Sequence, residues 1–361
     1  MENYLNFIKD KLILPLEYNG DFYIFIEKYL DDYIKEVTDP GLGSIFNKAN
    51  LDKLNSIIEG IKNGVQEYYK GHPAKAFNDF KSGLDAIEME LSAINDSQTL
   101  NDFYRLRIDG TGTSHSFSRE QMFHIPFELR SLVTTQRFSI PGLPSIYLGS
   151  TMYVCWEEMN RPNFKNVKAS LYRKKDNLAI VDLGLHPLYM IKYLGDQNEK
   201  DPADAVNELI VYLILWPLIA ASSVKVNNRE HPFKPEYIIP QLLLQYVTRS
   251  EKIDGIRYLS VQTSPKPQNF WLYHNYVFPA KTLSPKGYCN KLNQLFSLTP
   301  GVSWQIFEIH KTASGLPSGE GPLHNYRLNF DPHTPPINYG QTDFGRFERF
   351  LDETNSLGDI I

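Results

Sequence analysis

At 361 residues, 42% of them hydrophobic and 22% charged, the chain has the make-up of a globular protein long enough for two domains or one enlarged one. Its net charge of −5 supplies no overall basic field, so neither nucleic acid nor an anionic membrane is expected as a partner. The two cysteines, Cys155 and Cys289, have no metal-ligand spacing and are too few for a disulfide framework, which suits a reduced, cytoplasmic protein.

The opening "MENYLNFIKDKLILPL" carries an early acid and no apolar run followed by a small-residue cleavage site, so no signal peptide is expected. Residues 1–98 read as a helical region. In "NLDKLNSIIEGIKNGVQEYY" the apolar side chains Leu51, Leu54, Ile57, Ile58, Ile61, Val65 and Tyr68 recur at helical spacing. "GDFYIFIEKYLDDYIKEV" before it and "AKAFNDFKSGLDAIEMELSAI" after it predict two further helices, and "TDPGLGS" breaks the first from the second.

From about residue 102 the texture changes to short β-branched and aromatic runs bounded by turn residues. "FYRLRI", "SIYLGS", "ASLYRKK", "LAIVDLGL", "GIRYLSVQ", "NFWLYHNYVFPA" and "VSWQIFEIH" are predicted as strands. Among them "DPADAVNEL" opens a helix with Asp201 as N-cap and Pro202 at the first helical position. The apolar run that follows, "NELIVYLILWPLIAAS", is too short and too interrupted by Pro217 to predict a membrane span, and reads as a buried helix. "PEYIIPQLLLQYV" predicts one more helix. Strands and helices do not alternate regularly, which predicts an α+β fold rather than a doubly wound parallel sheet. The tail from about 312 is expected to wrap the surface and end in the short helix "DFGRFERFLDE".

One stretch brings together residues that chemistry could use. In "RFSIPGLPSIYLGSTMYVCWEE", Arg137 precedes a Pro-Gly turn, Tyr147 follows on a strand, and Ser150 or Thr151 can cap a helix that carries Glu157 and Glu158. An arginine fork suits a diphosphate, a tyrosine ring can stack on a flat heterocycle, and one carboxylate can stabilise an oxocarbenium-like centre as a glycosidic bond breaks. Spacing alone fits equally a surface ion pair, a core tyrosine and a solvated helix residue.

The pattern resembles the RES-domain family, named for its Arg, Glu and Ser. The residues that carry the resemblance are "FYRLR" with Arg105 or Arg107, then Arg137, "GLPSIY" with Tyr147, "WEE" with Glu157 or Glu158, "GIRYLSVQ" with Ser260, and Asn269 in "QNFWLYHNYVFPA". Arg137 is followed by Phe138 where the family often has Trp, and the stretch between Glu157 and Ser260 is longer than in compact members.

The resemblance implies an ADP-ribosyltransferase-like mixed or antiparallel β core with helices, preceded by the helical N-terminal region. The corresponding division is 1–98 helical, for regulation or oligomerisation; 99–311 catalytic, with a helical insertion at about 185–250; and 312–361 as the C-terminal wrap. The implied activity is cleavage of the nicotinamide–ribose bond of NAD+ by hydrolysis or phosphorolysis. NAD+ is then a substrate and no cofactor is required. The family also implies a toxin restrained by an inhibitory partner protein, and homo-oligomerisation stays open. Glu157, Tyr147, Arg137 and Ser260 would serve catalysis, and Arg105, Arg107 and Asn269 would bind substrate. ADP-ribosyl transfer to a macromolecule and non-catalytic binding of NAD+ or ADP-ribose are the competing expectations.

Other signals are weaker. Arg119 and His124 in "REQMFH" have the spacing of a ribonuclease motif found in HEPN domains, but in a loop-like context. "GTGTSHS" lacks the lysine and following helix of a phosphate-binding loop. His274 reads as a packed strand residue. The nine histidines show no metal-binding spacing, so no metal is expected.

Overall fold

The structure, a computed structural model, describes residues 1–93, 100–110, 116–195, 201–262, 269–314, 321–328, 334–354 and 356–360. The chain divides into two compact units. One takes Met1–Asn95, Thr135–Ile140 and Ile180–Ser250; the other takes Asp96–Thr134, Pro141–Ala179 and Glu251–Ile361. Together they make an α+β protein.

The first unit is helical. Its N-terminal part runs through helices Glu2–Lys11, Phe22–Val37, Lys48–Tyr69, Pro73–Ala86 and Glu88–Ala93. Asp21 and Asn47 cap the second and third through side-chain oxygens that accept from Ile24 N and Asn50 N. Lys48–Tyr69 and Pro73–Ala86 pack through glycines. A Cβ at Gly83 would lie 2.8 Å from the Ser56 carbonyl oxygen, so only glycine permits that approach. The helix Pro202–Ser222 begins at Asp201, whose side chain accepts from Ala203 N. It is long and apolar enough to cross a membrane by length and composition. Here, however, 78% of its apolar window is buried inside the structure, and the Tyr33 hydroxyl donates to Leu213 O at 2.6 Å. It is the core helix of this unit, as its sequence predicts, though longer than its apolar run.

The strands in chain order are β1 (Asp102–Ile108), β2 (Ser145–Gly149), β3 (Val167–Lys174), β4 (Ile180–Leu183), β5 (Gly255–Leu259), β6 (His274–Pro279), β7 (Phe296–Leu298) and β8 (Val302–Ser303). β4 belongs to the helical unit; the others form the sheet of the second, in the order β5–β6–β2–β1–β3–β7, with β8 also on β3. Neighbouring strands within this unit pair antiparallel. One face of the sheet carries Tyr104, Leu106, Val167, Ala169 and Leu171 into a core with Met152, Tyr153, Trp304, Phe307, Phe344 and Phe347. On the other face Phe103 meets Tyr276 and Phe296 edge to face, with ring centroids 4.8 and 5.9 Å apart.

"VSWQIFEIH" departs from its predicted strand. Only Val302–Ser303 is strand, and Trp304–Ser314 is helix. Trp304 and Phe307 are buried three residues apart while Ile309 is 69% exposed, a helical spacing that a nine-residue window of mixed aromatics conceals. The final helix, Asp343–Thr354, buries Phe344, Phe347, Phe350 and Leu351 and is part of the sheet unit's core.

Candidate active site

The ladder opens beside the predicted residues. β1 pairs with β3 along its whole length, from Asp102–Arg173 to Ile108–Val167, and β2 pairs with β6 from Ser145–Pro279 to Gly149–Asn275. Between β1 and β2, however, the register holds only at Tyr104–Gly149. Past that pair the two strands part, with Arg105 and Arg107 on one and Tyr147 and Ser145 on the other.

Arg105 and Arg107 alternate along β1 and so share a face. Arg105 Nη1 donates to Met122 O at 3.0 Å, and Arg107 Nη1 donates to Gln121 O. Both carbonyls belong to the one-turn helix Arg119–Met122. Burial, with the neighbouring Arg105 charge, lowers the Arg107 pKa to about 10. Burial raises the phenol of the half-buried Tyr147, and the Arg105 charge opposes that rise. Tyr147 therefore lies within electrostatic reach of Arg105.

The helix Met152–Glu158 is set by three contacts. Thr151 caps it: its Oγ1 accepts from Val154 N at 3.1 Å and donates to Leu272 O at 2.8 Å. Glu348, on the last helix, accepts from Met152 N at 2.7 Å. Gly149 lets the helix lie against β2, because a Cβ there would come within 2.6 Å of both Cys155 Sγ and Val154 Cγ1.

At its end the two glutamates diverge. Glu157 is 7% exposed. Its Oε2 accepts from Arg161 Nε at 2.9 Å, and its Oε1 is buried with no hydrogen-bond partner among the described residues. Burial and then Glu157 raise the Tyr153 phenol and push the Tyr273 phenol up to about 12. Arg161 reaches back from a left-handed turn, Asn160–Arg161, with φ of 62° and 54°. Glu158 is exposed, and its Oε1 accepts from Asn275 Nδ2 at 2.8 Å.

Ser260 follows β5 and is buried. Its N donates to Tyr273 O at 2.9 Å, and its Oγ accepts from Gln262 N at 3.3 Å. Asn269 is buried, and its carbonyl accepts from Leu272 N at 2.9 Å. Arg105, Arg107, Tyr147, Glu157, Glu158, Ser260 and Asn269 thus lie in the sheet unit. Arg137 lies in the helical unit, where its Nη1 donates to Ser222 O at 3.2 Å and its guanidinium sits 5.2 Å from the Tyr237 ring centre.

Sequence reasoning passed over Asn275, Arg161 and Glu348. Asn275 sits one strand position from the noted His274, but its tie to Glu158 follows only from the β2–β6 register. Glu348 is nearly two hundred residues from the helix it holds, and no local pattern marks it.

The Arg119–His124 pair is structural. Arg119 Nε donates to Leu298 O at 2.9 Å. His124 is 1% exposed; its Nε2 accepts from Cys289 N at 2.8 Å, so the proton is on Nδ1, which donates to Ile125 O at 2.6 Å. Burial lowers its pKa to about 4, which keeps it neutral near pH 7. His274 packs its ring edge-on to Trp271, 5.2 Å away. Residues 111–115 of the glycine-rich run lie outside the described residues. Among the described residues no group of three His, Cys, Asp or Glu could hold a metal ion.

Among known proteins the chain is similar to one from Bacillus subtilis (strain 168) named "Putative toxin YopC". The two are 32% identical over 374 aligned residues, which take in 98% of this chain and 81% of YopC. No family model matches the chain. No solved structure matches it either.

Proposed function

We propose that this chain, which belongs to the family of YopC, is a toxin that cleaves the nicotinamide–ribose bond of NAD+. The observation that carries this reading is the parting of β1 from β2 beyond Tyr104–Gly149, with Arg105, Arg107 and Tyr147 on its two edges. The helix that ends in Glu157 and Glu158 follows directly from β2. The order of these residues along the chain, with Ser260 after them, is that of the RES-domain family.

Each piece has a chemical task in this reading. Arg105 and Arg107 offer planar forks to the diphosphate through charge-assisted hydrogen bonds. Tyr147 packs on the nicotinamide or its ribose. A carboxylate holds ribose hydroxyls and stabilises the positive charge that grows on C1′. Ser260 orients the dinucleotide. No activated nucleophile is needed, because nicotinamide leaves as a neutral molecule and water or phosphate completes the reaction. Loss of NAD+ halts growth, which agrees with the name that YopC carries.

Induced expression in a bacterial host tests the reading. Cellular NAD+ is expected to collapse before growth stops, and Arg105→Ala combined with Arg107→Ala is expected to spare both. Growth arrest by the wild type with NAD+ unchanged would assign the toxicity to other chemistry.

A further inference from the structure

We infer that the helical unit holds a binding site for an aliphatic polyamine, built on the buried carboxylate of Glu236 and an adjoining strip of aromatic rings and carboxylates. Every residue of it lies within Met1–Asn95 or Ile180–Ser250, and the inference does not rest on the NAD+ reading.

Glu236 stands in the short helix Pro235–Tyr237 and is 2% exposed. Its Oε1 accepts from the Tyr18 hydroxyl at 2.8 Å and from Asn227 N at 3.0 Å. Its Oε2 is buried with no hydrogen-bond partner among the described residues. No described residue forms an ion pair with it, and Lys234, two positions away, turns its Nζ to His231 O at 2.7 Å. Buried polar oxygens are ordinarily paired, and an unpaired charged one is the costliest kind. A ligand N–H would supply the missing donor.

The carboxylate faces a run of rings. Tyr18 stacks on Phe25 with centroids 5.1 Å apart. Burial, then Asp21 and Glu236, push the Tyr69 phenol up to about 12, which places Tyr69 within electrostatic reach of both carboxylates. Tyr69 meets Phe233 edge-on and Tyr23 at a tilt, each with centroids 6.2 Å away. The Tyr23 hydroxyl donates to Glu27 Oε1 at 3.2 Å. Tyr69 and Phe233 are 42% and 51% exposed, so the strip opens to solvent.

Asp21 caps its helix through Oδ1. Like Glu236, neither Asp21 nor Glu27 is in an ion pair with a described residue. Carboxylates without a counter-ion are thus interspersed with ring faces and edges. Both attract cations, the carboxylates by charge and the rings by their quadrupoles. A polyamine has the matching alternation: ammonium groups for the carboxylates and methylene spacers for the rings. Its N–H groups also give Glu236 Oε2 the donor that it lacks, which a quaternary ammonium would not.

Isothermal titration of the full chain with spermidine at fixed ionic strength tests the site. Saturable binding to one site is expected. Phe233→Ala, at an exposed ring, is expected to weaken it about 2–5-fold. Asp21→Asn, which keeps a helix cap, is expected to weaken it by about the same factor. Glu236→Gln is expected to weaken it at least about 10-fold; should that buried change disturb the fold, the other two variants decide. Glu59→Gln, at an exposed glutamate paired with Lys62, is expected to change nothing. N-acetyl-lysine amide, with one ammonium group, is expected to bind about 10-fold more weakly than spermidine. Absence of binding up to about 10 mM spermidine overturns the site. So does an effect of Glu59→Gln equal to that of Asp21→Asn, which would mean diffuse attraction to a net-negative chain. The lysine amide binding as tightly as spermidine overturns the assignment to a polyamine.

Discussion

Replacing Glu157 by glutamine lowers the rate constant for nicotinamide release by about 10²–10³-fold, the usual loss when one electrostatic stabiliser of a transition state is removed. Glutamine keeps the side-chain length and an oxygen that can accept from Arg161 Nε, so the fold and the binding of NAD+ change little. What disappears is the negative charge beside C1′ at the moment that positive charge develops there. The loss therefore appears in kcat and in kcat/KM together. The same replacement at Glu158 is expected to have the smaller effect on rate, because that carboxylate is exposed at the end of the helix. Steady-state rates of the two variants measured side by side check this, and a greater loss at Glu158 would reverse the roles of the pair.

The second large effect is on stability. Glu348 is 2% exposed; its Oε1 accepts from Met152 N at 2.7 Å and from the Tyr339 hydroxyl at 2.6 Å, and its Oε2 lies 2.9 Å from His324 Nε2. Glu348→Ala strands these groups and enlarges a cavity of about 130 Å³ that Glu348 lines with Tyr104, Ser150 and His324. Breaking a buried ionic or hydrogen-bonded group by removing one partner costs about 3–5 kcal/mol. Urea unfolding followed by tryptophan fluorescence should show a loss of that order, and Glu348→Gln, which retains an acceptor, should lose less. A loss below about 1 kcal/mol, the net worth of one ordinary hydrogen bond, would mean that the helix Met152–Glu158 is held by other contacts. Because that helix carries Glu157, surviving Glu348→Ala protein should also turn over slowly.

Local chemistry made much of the fold legible. Helical spacing in "NLDKLNSIIEGIKNGVQEYY", the Asp201–Pro202 start and the alternation in "FYRLRI" and "SIYLGS" each follow from neighbours within a few residues, and each forms the element it predicts. Trp304–Ser314 did not, because its aromatic content imitates a strand until burial reveals the three-residue spacing. The union of 1–95 with 180–250 in one unit depends on tertiary packing that periodicity does not encode.

The site divides in the same way. Tyr147 and the Glu157–Glu158 pair stand out because a turn, a strand and a cap follow one another directly in sequence. Asn275 and Glu348 act across strand register and across nearly the whole sheet unit, so their partners cannot be read from spacing. Arg137 is ten residues from Tyr147 in sequence, yet Thr135–Ile140 packs with the helical unit, and spacing says nothing about which unit a residue joins.

Release of nicotinamide from NAD+ is the decisive measurement. Purified full-length protein, free of any bound partner, is incubated with NAD+ in buffers with and without phosphate, and free nicotinamide is quantified together with the ribosyl product. One nicotinamide is expected for each NAD+ consumed, with ADP-ribose as the second product in phosphate-free buffer. NAD+ left intact in both buffers would contradict it.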